Sequence, residues 1–206
     1  AQLGYSYVDS GAMYRAITFF LIQKNKIDTN GNFNENEVLK CLGAISLSFK
    51  FNEEKKLNET FLNGQNVENE IRRMNVANNV SAIAKIREVR QKTIVIQREL
   101  GKNKGVVMDG RDIGTNVFPD AELKIFMTAD ADVRAKRRYD ELIAKGETAD
   151  LQEVKKNLVE RDWEDTHRKE NPLVQAEDAV VLDNTNLTRE QQLEFAYNLA
   201  KGIIGK

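Results

Sequence analysis

The sequence predicts an α/β protein in which helices cover both faces of a parallel sheet. Short apolar segments alternate with longer helical patterns, and clusters of polar residues follow several of the apolar segments. The length of 206 residues suits one domain with a small insert. The net charge of −1 argues against a broad nucleic-acid-binding surface, which needs an excess of basic residues.

The first predicted elements are a short strand at residues 5–8 and a helix that follows it directly. The side-chain oxygen of Asp9 or Ser10 would cap this helix by accepting a hydrogen bond from an early backbone amide. Apolar side chains recur at helical spacing and predict the buried face: Met13, Ile17, Phe20 and Leu21.

A small antiparallel patch is predicted next, at residues 45–69. Residues 45–52 alternate between apolar and polar side chains, as a half-buried strand does. Asn63 and Gly64 form the strongest short hairpin signal, because both residue types tolerate a positive φ. Residues 75–100 are strongly charged and are predicted to be mostly helical.

The rest of the chain again alternates strands with helices. Apolar strands are predicted at residues 106–108, 124–127 and 179–183. The first of the helices is basic, is capped by Thr128 or Asp130 and ends at Gly146. A polar helix follows at about residues 151–169. The last helix begins with a capping box of Thr188 and Gln191.

Cysteine content and hydropathy indicate a cytoplasmic protein. Cys41 is the single cysteine, so no intrachain disulfide can form and a reducing compartment fits best. The longest apolar stretch, residues 16–22, is far shorter than the roughly 20 residues that a membrane span needs. We therefore expect no membrane association.

Three polar clusters follow predicted strands: residues 9–11, residues 109–112 and residues 183–185. In parallel sheets, ligands bind at the carboxyl ends of the strands, so these clusters predict a binding site. In the second cluster, Arg111 offers a planar fork for a phosphate or carboxylate, and Asp112 can accept hydrogen bonds from an amino group. A structural clamp between Arg111 and Asp109 or Asp112 is the alternative.

Other charged residues have both a functional and a structural interpretation. Ser10 and Arg15 are about one helical turn apart and could approach one anion, although helix capping explains Ser10 equally well. Arg161, Asp165 and Arg168 would share one helix face, where a solvated ladder of ion pairs is the alternative. A basic cluster of Arg134, Arg137 and Arg138 could equally be a solvated surface.

Four segments together closely resemble bacterial cytidylate kinases: "VDSGAMYRA", "GQNVENEIRRMNVANNVSAIA", "VVMDGRDIGTNVFPDAELKIFM" and "RDWEDTHRKENPL" with "DAVVLDNT". The resemblance spans nearly the whole chain in the expected order. It implies a P-loop kinase fold with a five-stranded parallel core and a single nucleoside monophosphate kinase domain over residues 1–206. It also implies transfer of the γ-phosphoryl group of ATP to CMP or dCMP, Mg²⁺ bound with ATP, no protein metal ligand in this sequence, and a monomer.

Site residues follow from the resemblance position by position. Residues 40–75 would be the nucleotide-binding insert, and residues 134–169 a basic helical lid whose Arg134, Arg137 and Arg138 reach the ATP phosphates. Ser81, Arg90 and Asp112 would surround cytosine, and Ser10 would line the same pocket. Arg15, Arg111 and Arg161 would hold the acceptor phosphate, and Asp165 and Arg168 would reach the sugar. Arg111, Asp112 and Arg161 would be the catalytic residues.

Two features qualify this assignment. Ser81 and Arg90 are nine residues apart, on opposite sides of a continuous helix, so a break near residues 85–88 is required. The family's phosphate loop, GxxxxGKS/T, does not occur in the 206 residues. We expect it in a segment that precedes Ala1, and an intact mass near 23.5 kDa would contradict this. Two alternatives stay open: a non-catalytic CMP-binding remnant, and a kinase for another acceptor such as UMP or dTMP.

Overall fold

The computed structural model describes residues 3–144 and 146–204. The chain divides into two compact units, with the boundary between Ile113 and Gly114. Within the described residues, each helix is too short or too polar to span a lipid bilayer.

The first unit is built on a parallel pair of strands, β1 (Ser6–Asp9) and β5 (Val106–Asp109). Tyr7 lies opposite Val107, and Asp9 lies opposite Asp109. Helix α1 (Ser10–Gln23) begins directly after β1 and buries Met13, Ile17, Phe20 and Leu21, as predicted. Asp9, one of the two predicted caps, accepts a hydrogen bond from the Ala12 amide at 3.1 Å.

The predicted antiparallel patch is confirmed as a three-stranded sheet of β2 (Leu47–Asn52), β3 (Leu57–Leu62) and β4 (Gln65–Asn66). The turn between β3 and β4 consists of Asn63 and Gly64, with φ of 48° and 83°. Helix α2 (Glu35–Leu42) precedes this sheet, and a short 3₁₀ turn (Glu70–Arg72) follows it. The insert therefore contributes its own secondary structure to the first unit.

Residues 75–100 form two helices, α3 (Met74–Ile83) and α4 (Arg87–Gly101). The break that Ser81 and Arg90 require is present between them, and Ile86 has extended backbone with ψ of 123°. The core of the first unit joins buried residues of α1 with Val38, Ile71, Ile83 and Val89. Ile83 at the end of α3 and Val89 in the first turn of α4 are both part of this core, so buried apolar side chains hold the two helices on either side of the break.

The second unit contains the parallel strands β6 (Ile125–Thr128) and β7 (Val180–Asp183) and the helices α5 (Ala131–Ala144), α6 (Leu151–His167) and α7 (Arg189–Ile204). Asp130 caps α5 by accepting from the amides of Asp132 and Val133, at 2.8 and 3.2 Å. The predicted capping box is confirmed: Thr188 and Gln191 exchange hydrogen bonds of 2.8 and 3.2 Å at the start of α7.

The four parallel strands of the described residues form two pairs, whereas the resemblance implies five strands. Val8 and Leu182 are buried on one face of their strand pairs, each less than a tenth exposed. The opposite faces carry apolar side chains that are about half exposed: Tyr7 and Val107 in the first pair and Val181 in the second.

Candidate active site

Asp9 and Arg15 form an ion pair at the start of α1. Arg15 Nη2 lies 2.5 Å from Asp9 Oδ2, and both side chains are about four-fifths buried. A Cβ atom at Gly11 would lie 3.0 Å from both Arg15 Nη1 and Asp9 Oδ1, so the glycine leaves room for the pair. Arg15 Nε is buried and makes no hydrogen bond within the described residues. The structure thus gives Arg15 a carboxylate partner that the sequence analysis did not predict.

Ser10 and the 109–112 cluster are packed closely together. Ser10 is buried, and a Cβ atom on Gly110 would collide with its Oγ and with Ile113 Cγ1. A glycine is therefore needed where the chain leaves β5 and passes the first residue of α1. This contact brings two of the predicted polar clusters into one place.

Arg90 and Asp112 form the most deeply buried ion pair of the site. Arg90 Nη2 donates to Asp112 Oδ2 at 2.7 Å, and the two side chains are 3% and 8% exposed. The residues are 22 positions apart, since Arg90 lies on α4 and Asp112 lies three positions after the end of β5. Burying two charges costs free energy unless they pair closely, so each side chain requires the other in this position.

The break between α3 and α4 helps to position Arg90. Its Nη1 donates to the Ala84 carbonyl at 3.2 Å, and its guanidinium lies 5.6 Å from the centre of the Tyr14 ring. A carbonyl at a helix end lacks an intrahelical partner, which makes it available to a side chain. Arg90 Nε is buried without a hydrogen-bond partner among the described residues. Ser81 is half-buried near the end of α3.

Asp109 occupies the end of β5 opposite Asp9 and accepts a hydrogen bond from Tyr7 Oη at 2.9 Å. Partial burial is the largest cause that raises the pKa of Asp109, although the residue stays accessible at the strand end. The negative charge of Asp9 raises this pKa further, whereas the Tyr7 hydrogen bond and the Arg111 charge lower it. Arg111 itself is exposed.

Of the three charged residues predicted to share a face of α6, Asp165 and Arg168 are in contact. Arg168 Nη1 donates to Asp165 Oδ1 at 3.2 Å, and both side chains are at least four-fifths buried. The prediction of one shared helix face is wrong for Arg168, because α6 ends at His167 and the Arg168 backbone is extended, with ψ of 146°. Arg168 reaches Asp165 from this extended position and also donates to the Asn171 carbonyl. Arg161 is exposed on α6.

The three basic residues of α5 have different partners. Arg134 pairs with Asp162 of α6 at 2.5 Å. Arg137 donates to the Asn184 side chain and carbonyl, both at 2.9 Å, and so holds the loop that follows β7. Arg138 pairs with Glu141, three positions along the same helix. Helices α5 and α6 are therefore joined by the ion pairs of Arg134 with Asp162 and of Lys155 with Asp132, and the lid role stays a prediction.

The family model described as cytidylate kinase matches residues 1–202. The chain belongs to this family. A cytidylate kinase of Flavobacterium psychrophilum is 52% identical over 202 residues, covering 98% of this chain and 89% of that protein. A cytidylate kinase of Flavobacterium johnsoniae is 50% identical and covers 98% and 88%. A cytidylate kinase of Parabacteroides distasonis is 51% identical and covers 93% and 83%.

Membership of the cytidylate kinase family supports the resemblance from which the site residues were assigned. In the structure, three further residues that were not assigned from the sequence contact Arg90 or residues of the polar clusters. Tyr14 lies beside Arg90, Tyr7 holds Asp109, and Arg72 Nη2 lies 3.5 Å from Asp9 Oδ2. These contacts join residues that are distant in sequence. Arg72 and Tyr14 stand within two of the quoted segments, which is the one signal that could have drawn attention to them.

Proposed function

We propose that the chain transfers the γ-phosphoryl group of ATP to CMP or dCMP, giving CDP or dCDP and ADP. Membership of the cytidylate kinase family supports the reaction class. The observation that carries the choice of acceptor is the buried pair of Arg90 and Asp112 beside the break between α3 and α4. Such a pair presents a donor and an acceptor side by side in a dry environment, as recognition of a base edge requires.

Cytosine fits this pair chemically. Its exocyclic amine donates to the Asp112 carboxylate, and its ring nitrogen or carbonyl accepts from Arg90. Uracil presents a carbonyl where cytosine presents the amine, so an acceptor would face the carboxylate. Ser81 supplies a further hydroxyl near the base, and Ser10 lines the same pocket. A site built for one hydrogen-bonding pattern rejects a base that leaves its buried groups unpaired.

The remaining substrate contacts are proposed from the family resemblance. Arg15, Arg111 and Arg161 bind the acceptor phosphate, because guanidinium groups match phosphate oxygens in charge and geometry. Asp165 and Arg168 bind the sugar, and their close contact supports a fixed orientation. Arg134, Arg137 and Arg138 belong to the segment that closes over the ATP phosphates and excludes water.

Catalysis in this proposal is positioning and charge neutralisation. The acceptor phosphate must lie in line with the leaving group, and Arg111 and Arg161 offset the negative charge on the transferred group. Asp112 fixes the acceptor through its base. Mg²⁺ would enter with ATP, whose phosphate oxygens and water are the ligands it prefers. Among the described residues, no three acidic, His or Cys side chains are grouped as a metal site.

The test is ADP release in the presence of ATP and Mg²⁺, with CMP, dCMP, UMP, dTMP and AMP as separate acceptors. Turnover selective for CMP and dCMP supports the proposal. Turnover with UMP or dTMP equal to that with CMP would favour the alternative of a kinase for another acceptor. The assay uses the protein with any segment that precedes Ala1, and CMP binding without turnover by that protein would favour the non-catalytic remnant, since a phosphate loop is needed to hold ATP.

A further inference from the structure

Arg72 and Arg15 both approach the same oxygen atom, Asp9 Oδ2. Arg72 Nη2 is 3.5 Å from Asp9 Oδ2, and Arg15 Nη2 is 2.5 Å from the same oxygen. Arg72 ends the 3₁₀ turn of the insert, 63 positions from Asp9. Two guanidinium groups from separate parts of the first unit therefore converge at the carboxyl end of β1.

Glu68 holds Arg72 in this orientation. Its Oε1 accepts from Arg72 Nε at 2.8 Å and from Arg72 Nη2 at 2.5 Å. Its Oε2 accepts from the backbone amide and the hydroxyl of Thr60 on β3, at 3.0 and 2.8 Å. Thr60 is buried in the sheet of the insert. Its hydrogen bonds orient the Glu68 carboxylate, which in turn orients Arg72.

The arrangement leaves donors of Arg72 open to a ligand. Glu68 and Asp9 engage its Nε and Nη2, whereas its Nη1 makes no hydrogen bond within the described residues. The side chain is 53% exposed. Asp9, Arg15, Glu68 and Arg72 carry two negative and two positive charges, so the group is neutral before a phosphate dianion approaches. Two adjacent guanidinium groups suit such a dianion better than one.

We propose that Arg72 is a further substrate-binding residue that contacts the acceptor phosphate of CMP together with Arg15, and that Glu68 is its positioning residue. This inference rests on the proposed function. It assigns to the insert a direct role in phosphate binding. The competing explanation is that Arg72 only ties the insert to β1, in which case its loss would affect binding through the fold.

Arg73 provides a matched control, because it is the adjacent residue, carries the same charge and is exposed. Binding of CMP and of cytidine, which lacks the phosphate, is measured calorimetrically without ATP for the parent, Arg72→Gln, Arg72→Lys and Arg73→Gln. Losing one charge-assisted contact typically costs about tenfold or more in affinity. We expect Arg72→Gln to weaken CMP binding by about tenfold or more, Arg72→Lys to weaken it less because the charge remains, and Arg73→Gln to change it by less than about twofold.

Cytidine binding by both Arg72 variants should equal that of the parent. Unchanged CMP binding by Arg72→Gln would overturn the inference, and so would an equal loss for CMP and cytidine, which is the signature of the structural tie. Should Arg72→Gln unfold, the ratio of CMP to cytidine affinity in Arg72→Lys decides the matter in the same way. A parent chain that binds no CMP would overturn the proposed function itself and is recognised before any variant is compared.

Discussion

Arg90 and Asp112 contact each other through Nη2 and Oδ2 at 2.7 Å, in a position where neither side chain is more than a tenth exposed. The same two residues are proposed to read the cytosine base. Under this proposal, stability and specificity depend on the same pair of charges. Variants that keep the packing but remove both charges can separate the two effects.

Asp112→Leu alone should lower the free energy of unfolding by about 3 to 5 kcal/mol, because it leaves the Arg90 charge buried without its carboxylate. Adding Arg90→Met should recover most of that loss, since a well-packed apolar pair can replace a buried ion pair. The preference for CMP over UMP should stay lost in the double variant. Urea unfolding and the ratio of kcat/KM values for the two acceptors test this, and a double variant that still prefers CMP would contradict the assignment of the base contacts.

Gly110→Ala should destabilise the first unit and raise the KM for CMP. The added methyl group would overlap Ser10 Oγ and Ile113 Cγ1, and overpacking of this kind costs about 1 to 3 kcal/mol. Gly43→Ala is the control, because a Cβ atom there meets nothing within 4 Å and its φ is −62°. Thermal unfolding should show a lower Tm for Gly110→Ala only. Equal behaviour of the two variants would argue against the close contact between Ser10 and Gly110.

Arg137 and Arg138 should respond differently to alanine substitution. Arg137→Ala removes hydrogen bonds to the loop after β7, so both stability and activity should fall. Arg138 makes an exposed pair with Glu141, and Arg138→Ala should change stability by less than about 0.5 kcal/mol. A rise in the KM for ATP with Arg138→Ala at unchanged Tm would support the lid role. An unchanged KM for ATP would remove Arg138 from it.

Tyr7→Phe should change how stability depends on pH. The pKa of Asp109 is raised above 3.8, so the folded protein binds this proton more tightly than the unfolded chain does. Stability conferred by the protonated form is then lost as the pH rises from about 3.8 through the raised pKa. The Tyr7 hydrogen bond opposes this shift, so its removal should extend the loss to higher pH.

Urea midpoints measured from about pH 4 to pH 8 test the effect of Tyr7→Phe, with Tyr5→Phe as the matched substitution on the same segment. Asp109→Asn should remove this part of the pH dependence in both backgrounds, because the group no longer titrates. Identical pH profiles for Tyr7→Phe and Tyr5→Phe would show that the hydroxyl does not act on Asp109.

Features set by neighbouring residues were predictable from the sequence. The capping box of Thr188 and Gln191 and the turn at Asn63 and Gly64 each depend on a few adjacent positions. The break after α3 was predictable for another reason, since the family resemblance assigns Ser81 and Arg90 to one base and a continuous helix would place them on opposite sides. The end of α6 was placed two residues too late, because the extended backbone of Arg168 has no strong local signal.

Contacts between distant segments could not be predicted in the same way. Periodicity assigns Arg90 to a helix and Asp112 to a strand end, but it does not say which partner each charge finds. The pairing of Arg15 with Asp9 has no local signal, because the role of Asp9 as a helix cap already accounts for a carboxylate at that position. Arg72 is 63 positions from Asp9, so only the folding of the first unit brings the two side chains together.

The alternating charges of Glu68, Arg72, Asp9 and Arg15 have a consequence for sequence change among relatives. Loss of any one member leaves a neighbour with an uncompensated charge, so single replacements are disfavoured at all four positions. Glu68 and Arg72 should accordingly be gained and lost together over evolutionary time. Asp9, which also caps the first turn of α1, should be replaced least readily.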